Sequence, residues 1–138
     1  MPRILSIDYG GKRTGIAVTD PLQIIATGLT TIDTKDFIKF LKEYISKEPV
    51  EKIIIGMPLN MDDTATHATP LVENAIKQLK KHFPNIPVET VDERYTSKMA
   101  KDAMLQMGLK KMQRRDKKLV DEIAATMMLQ EYMERSTK

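Results

Sequence analysis

Residues 53–55 are three consecutive isoleucines, set in Lys52-Ile53-Ile54-Ile55-Gly56. Side chains on a strand alternate between its two faces, so an unbroken β-branched run is apolar on both. That suits a strand covered on both sides, as in a sheet sandwiched between helices. An α/β architecture is the expectation, and the periods on either side of the run agree with it.

Upstream, Arg3–Asp8 is a short apolar run bounded by Pro2 and by Gly10-Gly11, which predicts a first strand. Thr14–Thr19 predicts a second, close enough to pair antiparallel through the Gly10–Arg13 turn, and Ala26–Ile32 a weaker third. Phe37, Phe40, Leu41, Tyr44 and Ile45 recur at helical spacing, with Asp33 or Thr34 as cap and Pro49 as stop. Downstream, a loop over Met57–Thr66 leads to a helix starting between Thr66 and Pro70, proline being tolerated in a first turn. Its apolar stripe is Leu71, Val72, Ala75, Ile76 and Leu79. Pro84 and Pro87 bracket a turn into a strand at Val88–Asp92. Thr96 caps a third helix that stops at Gly108. The last helix runs from about Leu119 to Tyr132, with Val120, Ile123, Ala124, Met127 and Met128 on one side.

The order is β-β-β-α-β-α-β-α-α: an early meander, then strands that follow helices, join by crossovers and run parallel to their predecessors. It predicts an α/β fold, a mixed five-stranded sheet with helices on both faces, in a single domain over residues 1–138.

Composition narrows the chemistry. The chain has no cysteine, so any metal must be held by carboxylates or by the two histidines. His67 and His82 have no partners at a metal-ligand spacing. Ten methionines against three phenylalanines and no tryptophan indicate a pliable aliphatic core. The apolar run before Asp8 is too short for a signal peptide, and no stretch approaches the roughly 18 apolar residues of a membrane helix. A soluble, cytoplasmic protein with no membrane partner is expected. A net charge of +3 is compatible with a polyanionic partner without demanding one. Its distribution is more telling: Lys110, Lys111, Arg114, Arg115, Lys117 and Lys118 crowd nine residues that hold one acid, Asp116. Such a run is most often a solvated loop; beside an acidic site it can grip a nucleic-acid backbone.

Three acidic positions stand out. Asp8 ends the first strand, where Gly10 and Gly11 let the backbone turn sharply. Asp92-Glu93 ends the last strand, and Asp121 falls in the first turn of the last helix. Open α/β sheets place ligands at strand ends. Three carboxylates meeting there would repel one another without a cation, and suit hard divalent ions such as Mg²⁺ or Mn²⁺. Such ions can activate water and stabilise the leaving oxygen of a phosphodiester. Each acid also has a plainer reading: a turn residue, a solvated loop, or a favourable charge on a helix dipole. Spacing alone does not decide whether they converge.

Four motifs bear on this. Asp8-Tyr9-Gly10-Gly11-Lys12-Arg13-Thr14-Gly15-Ile16-Ala17-Val18 resembles the opening signature of the YqgF/RuvX family. Gly56-Met57-Pro58-Leu59-Asn60-Met61-Asp62, Asp92-Glu93-Arg94-Tyr95-Thr96-Ser97 and Val120-Asp121-Glu122-Ile123-Ala124-Ala125 are similar to three further motifs of that family, in the same order. Together they span nearly the whole chain. The resemblance implies a ribonuclease H-like fold related to the RuvC junction resolvases. It implies trimming of the 5′ end of precursor 16S rRNA, with Holliday-junction resolution as the older inference. Asp8, Glu93 and Asp121 become the metal-binding carboxylates, with Asp92 in support, since neighbours on a strand point to opposite faces. Arg13 and Arg94 become candidate phosphate contacts, given the bidentate geometry of arginine. Asn60 and the basic residues Lys110, Lys111, Arg114 and Arg115 become candidate substrate contacts. The family's glycine after Met61-Asp62 is Asp63 here, which alters that turn, and Glu122 beside Asp121 reads as a silent surface charge.

Two other classes compete. An actin- or sugar-kinase-type phosphotransferase also begins with Asp and Gly after a first strand, but it needs two such domains to close around ATP. A non-catalytic RNA-binding protein of the same fold would not require the acidic trio. Between RNA and branched DNA, the RNA reading is preferred. A resolvase needs a symmetric dimer, and every apolar stripe here can be spent on the sheet, which leaves a monomer or weak dimer.

Overall fold

The computed structural model describes residues 2–57, 69–92 and 117–136, with Asp92, 117–121 and 135–136 described by their backbone. Strands β1 (Arg3–Tyr9), β2 (Arg13–Thr19) and β3 (Ala26–Asp33) come first. Helix α1 (Phe37–Lys47), strand β4 (Val50–Met57), helix α2 (Thr69–His82), strand β5 (Val88–Asp92) and helix α3 (Lys117–Ser136) follow. The helix expected at Thr96–Gly108 lies outside the described residues.

The sheet order is β3-β2-β1-β4-β5. β1 pairs antiparallel with β2, and β2 antiparallel with β3, as the short connections require. β4 follows β3 in sequence, yet it crosses to pair in parallel with β1, and β5 then pairs in parallel with β4. The crossover places the isoleucine run between two strands, where both of its faces are covered.

Period-two alternation divides the core. Leu5, Ile7, Ile16, Val18, Ile53 and Ile55 point to one face and meet Phe37 and Leu41 of α1 and Val72, Ala75 and Leu79 of α2. Ile4, Ala17 and Ile54 point to the other face and meet Ala125 and Leu129 of α3. Ser6, fully buried on that second face, donates from Oγ to the Ala125 carbonyl at 3.0 Å. Small side chains at Ser6, Ala17 and Ala125 let α3 lie close to the sheet.

Four local expectations are corrected. Asp33 and Thr34 do not cap α1: a 3₁₀ turn at Thr34–Asp36 precedes the helix, and neither Asp33 nor Asp36 makes a side-chain capping bond. Leu71 leaves the apolar stripe of α2 and stays 47% exposed, because its side chain lies by Gly11 of the β1–β2 turn and outside the core cluster. The face that α3 buries is Ala124, Ala125, Met128, Leu129 and Met133, while Ile123 and Met127 are half-exposed. The close backbone approach favours alanine at its centre over larger neighbours. Finally, α3 begins at Lys117 and runs to Ser136, so Asp121 stands one residue past the first turn. The lysines of the basic run are adequate helix formers and extend the helix toward its N-terminus.

Candidate active site

Asp8 is the second-last residue of β1, half-buried, and opposite Gly15 of β2. By alternation it shares a face with Ile4 and Ser6, the face that carries α3. Arg13, the first residue of β2, falls on the same face, being in phase with Ala17. β1, β4 and β5 run parallel, and Met57 pairs with Asp92, so β5 ends at the end of the sheet that holds Asp8.

Two contacts fix the direction of α3. Near its middle, the Ala125 carbonyl accepts the Ser6 hydroxyl. Further along, the Tyr132 hydroxyl accepts from Lys52 Nζ at 2.7 Å and donates to Glu89 Oε2 at 2.7 Å. Lys52 and Glu89 stand at the starts of β4 and β5, opposite the Asp8 end. The helix is thus antiparallel to β1, with its N-terminal turns toward Asp8. Asp8 lies two strand residues beyond Ser6, about 7 Å. Asp121 lies four helical residues before Ala125, about 6 Å. The backbone of Asp121 is therefore brought to the face and the end of the sheet that carry Asp8.

The turn after Asp8 is built tightly. A Cβ on Gly10 would stand 2.5 Å from the Arg13 carbonyl oxygen, so the chain turns back on itself only because residue 10 lacks one. Thr34 Oγ1 donates to the Gly10 carbonyl at 2.6 Å, and its backbone N–H donates to the Lys12 carbonyl at 2.9 Å. Thr14 Oγ1 lies 2.8 Å from Thr34 Oγ1; the Thr34 proton is already given to Gly10, so Thr14 is the donor. Beside the turn, the Tyr9 ring meets Phe37 edge-on at 5.1 Å, and burial pushes the Tyr9 phenol above its ordinary pKa.

Of the sequence-predicted residues, Asp8, Arg13 and the backbone of Asp121 are brought together. Glu93, Arg94, Asn60, Lys110, Lys111, Arg114 and Arg115 lie outside the described residues. Among the described residues no three acidic or histidine side chains gather around a common point. The donors that the placement offers are carboxylate oxygens with no thiolate among them, a set that fits Mg²⁺ or Mn²⁺. Sequence reading missed Thr14 and Thr34; a polar residue at an inward position of β2 was the available signal. It also misread Glu122, which is half-buried against the backbone of Gly28.

A mixed sheet in this order, covered by helices on both faces and carrying an acidic strand end under the start of its last helix, defines the ribonuclease H-like class. The solved structure of Thermus thermophilus RuvC in complex with a Holliday junction substrate shares the fold at a TM-score of 0.58, with 13% identity, over 99% of this chain and 98% of that one. The chain belongs to the RuvX family, whose model, described as "RuvX: Holliday junction resolvase", matches residues 2–135. A Flavobacterium psychrophilum protein is 55% identical over 135 residues, 98% of each chain. A Bacteroides thetaiotaomicron protein is 54% identical over 134 residues, 97% of each. Both carry the name "Putative pre-16S rRNA nuclease".

Proposed function

We propose that this chain is a metal-dependent nuclease, a single-domain cytoplasmic hydrolase that cleaves phosphodiester bonds in 5′-end processing of precursor 16S rRNA. The observation that carries this reading is the run of α3 antiparallel to β1, which brings the backbone of Asp121 to the face and the end of the sheet that carry Asp8. Full-length relatives named for that activity support the choice of substrate. The five strands form one sheet, which supports a single domain, and no helix among the described residues is long and apolar enough to cross a membrane.

Asp8, Glu93 and Asp121 are the residues that would hold one or two Mg²⁺ or Mn²⁺ ions. When bound, such ions activate water and stabilise the leaving oxygen. The chain's own contribution is to hold the backbone that carries two of these acids: Asp8 on a central strand, Asp121 on a helix seated over that strand. Arg13, beside Asp8, is suited to pair with a phosphate oxygen. Arg94, Asn60, Lys110, Lys111, Arg114 and Arg115 extend the nucleic-acid contact. The protein works as a monomer or weak dimer.

Cleavage of branched DNA is the second reading, favoured by the family description and by the fold shared with RuvC. The deciding experiment offers the protein, with Mg²⁺ or Mn²⁺, a labelled RNA spanning the 16S 5′ precursor junction and a four-way DNA junction. RNA cleavage that is lost in Asp8→Asn and with chelator is expected. Paired cuts in the DNA junction would move the assignment to a resolvase, and binding of RNA without cleavage of either substrate would move it to a non-catalytic RNA-binding protein.

A further inference from the structure

We propose that Thr34 is a positioning residue for nucleic-acid binding: it clamps the Gly10–Arg13 turn and so holds Lys12 and Arg13 at the end of the sheet that carries Asp8. The inference rests on the nuclease reading and deepens it.

Thr34 grips the turn at two points. Its hydroxyl holds the Gly10 carbonyl, and its N–H holds the Lys12 carbonyl. Two carbonyls flanking Gly11 are thereby tied to the residue that follows β3, 24 positions along the chain from Gly10. Thr34 is 9% exposed and Thr14 fully buried, so the hydroxyl pair sits in low dielectric, where each bond polarises the next. The cascade runs one way: Thr14 gives to Thr34, and Thr34 gives to Gly10. β3 needs none of this for its pairing with β2, which is complete through Asp33. What the clamp adds is the position of residues 10–13. That segment carries two cations, Lys12 exposed and Arg13 half-buried, at the end of the β1–β2 hairpin that holds Asp8, with Arg13 in phase with Gly15, the cross-strand partner of Asp8. A displacement near 1 Å in a positioning group can cost on the order of 10²-fold in rate, so a turn that drifted would weaken both phosphate contact and turnover.

The test uses the full chain with Thr34→Val, which keeps the shape and loses the hydroxyl, and Thr34→Ser, which keeps the hydroxyl and loses the methyl. Affinity for the precursor-junction RNA is measured in EDTA, with no metal present, and amide hydrogen exchange is followed at residues 10–13 and 5–7. In Thr34→Val, RNA affinity should fall about tenfold and exchange should rise in the turn while Leu5–Ile7 stays protected. Thr34→Ser should restore both toward wild type. Unchanged RNA affinity in Thr34→Val overturns the proposal, as does Thr34→Ser behaving like Thr34→Val, which would assign the role to the methyl group. Should Thr34→Val fail to fold, Thr14→Val serves instead: it leaves the Thr34 bond to Gly10 and should give a smaller effect of the same sign, and no effect counts against the clamp. Wild-type protein that binds no RNA while the Thr34→Val turn still loosens would strike the nuclease reading and the binding role of Thr34 together, leaving the turn contact as purely structural.

Discussion

Glu122 of α3 lies directly on the backbone of Gly28 in β3: a Cβ at residue 28 would stand 2.5 Å from its Oε1 and 2.8 Å from its Cγ. The contact seats the helix on the outer strand one residue after Asp121. Gly28→Ala should force Glu122 aside and lower stability by about 1 kcal/mol. Adding Glu122→Ala should remove most of that loss, because the crowding atoms are gone. Urea denaturation of the two single variants and the double variant measures the coupling; additive effects would show that the helix already stands clear of the strand.

Gly10→Ala is expected to be more damaging. The obstructing atom there is the Arg13 backbone carbonyl, which cannot rotate away as a side chain can. The turn must open, at a cost of about 1–3 kcal/mol, and Arg13 should move with it. Thermal melting reads the first effect. A matching loss of RNA affinity reads the second.

Asp8→Asn separates metal binding from folding. Mg²⁺ that binds only the folded protein raises its stability by mass action. Wild type should therefore melt at a higher temperature in millimolar Mg²⁺ than in EDTA. The variant should melt at the same temperature in both, since it lacks one of the carboxylates proposed to hold the ion. A variant that Mg²⁺ still stabilises equally would place the ion elsewhere.

The far end of α3 is held by Tyr132 between Lys52 and Glu89. The Tyr132 hydrogen bond, with help from Lys52, draws the Glu89 carboxyl below its ordinary value, and the same hydroxyl holds the Lys52 ammonium above its own. A depressed acid stabilises the fold above its unfolded pKa and loses that contribution as pH falls through the folded one. A raised base stabilises below its unfolded pKa and loses the contribution as pH rises through the folded one. The network should thus contribute fully between the ordinary values of 4.5 and 10.5 and fade outside them. Tyr132→Phe should lower the melting temperature modestly within that window, by an amount that shrinks at acid and alkaline pH. Glu89 is exposed and Lys52 partly so, and solvent screens the pair, so the effect belongs with surface pairs, at roughly 0–1 kcal/mol.

Ser6→Ala should cost about 1 kcal/mol, measured by urea denaturation, because the variant leaves the buried Ala125 carbonyl without that hydroxyl. It should also loosen α3 near the turn that leads to Asp121.

What the sequence determined by itself was the set of local elements and their chemistry. The Ile53–Ile55 run demanded cover on both faces, the apolar periods marked the strands and helices, and the motif order placed acids at the end of β1 and near the start of α3. These features are legible because each depends on neighbours within a few residues. The tertiary structure decided how the elements meet. β4 pairs with β1 although it follows β3, because only a central position buries all three isoleucines. Leu71 looked like core and is exposed, and the burying face of α3 is turned toward Ala125, because close approach to Ser6 and Ala17 selects small residues that a hydrophobic stripe does not single out. Thr34 looked like a helix cap and instead holds a turn 24 residues away. A hydroxyl takes whichever carbonyl the fold presents to it, and that choice is made by packing between distant segments.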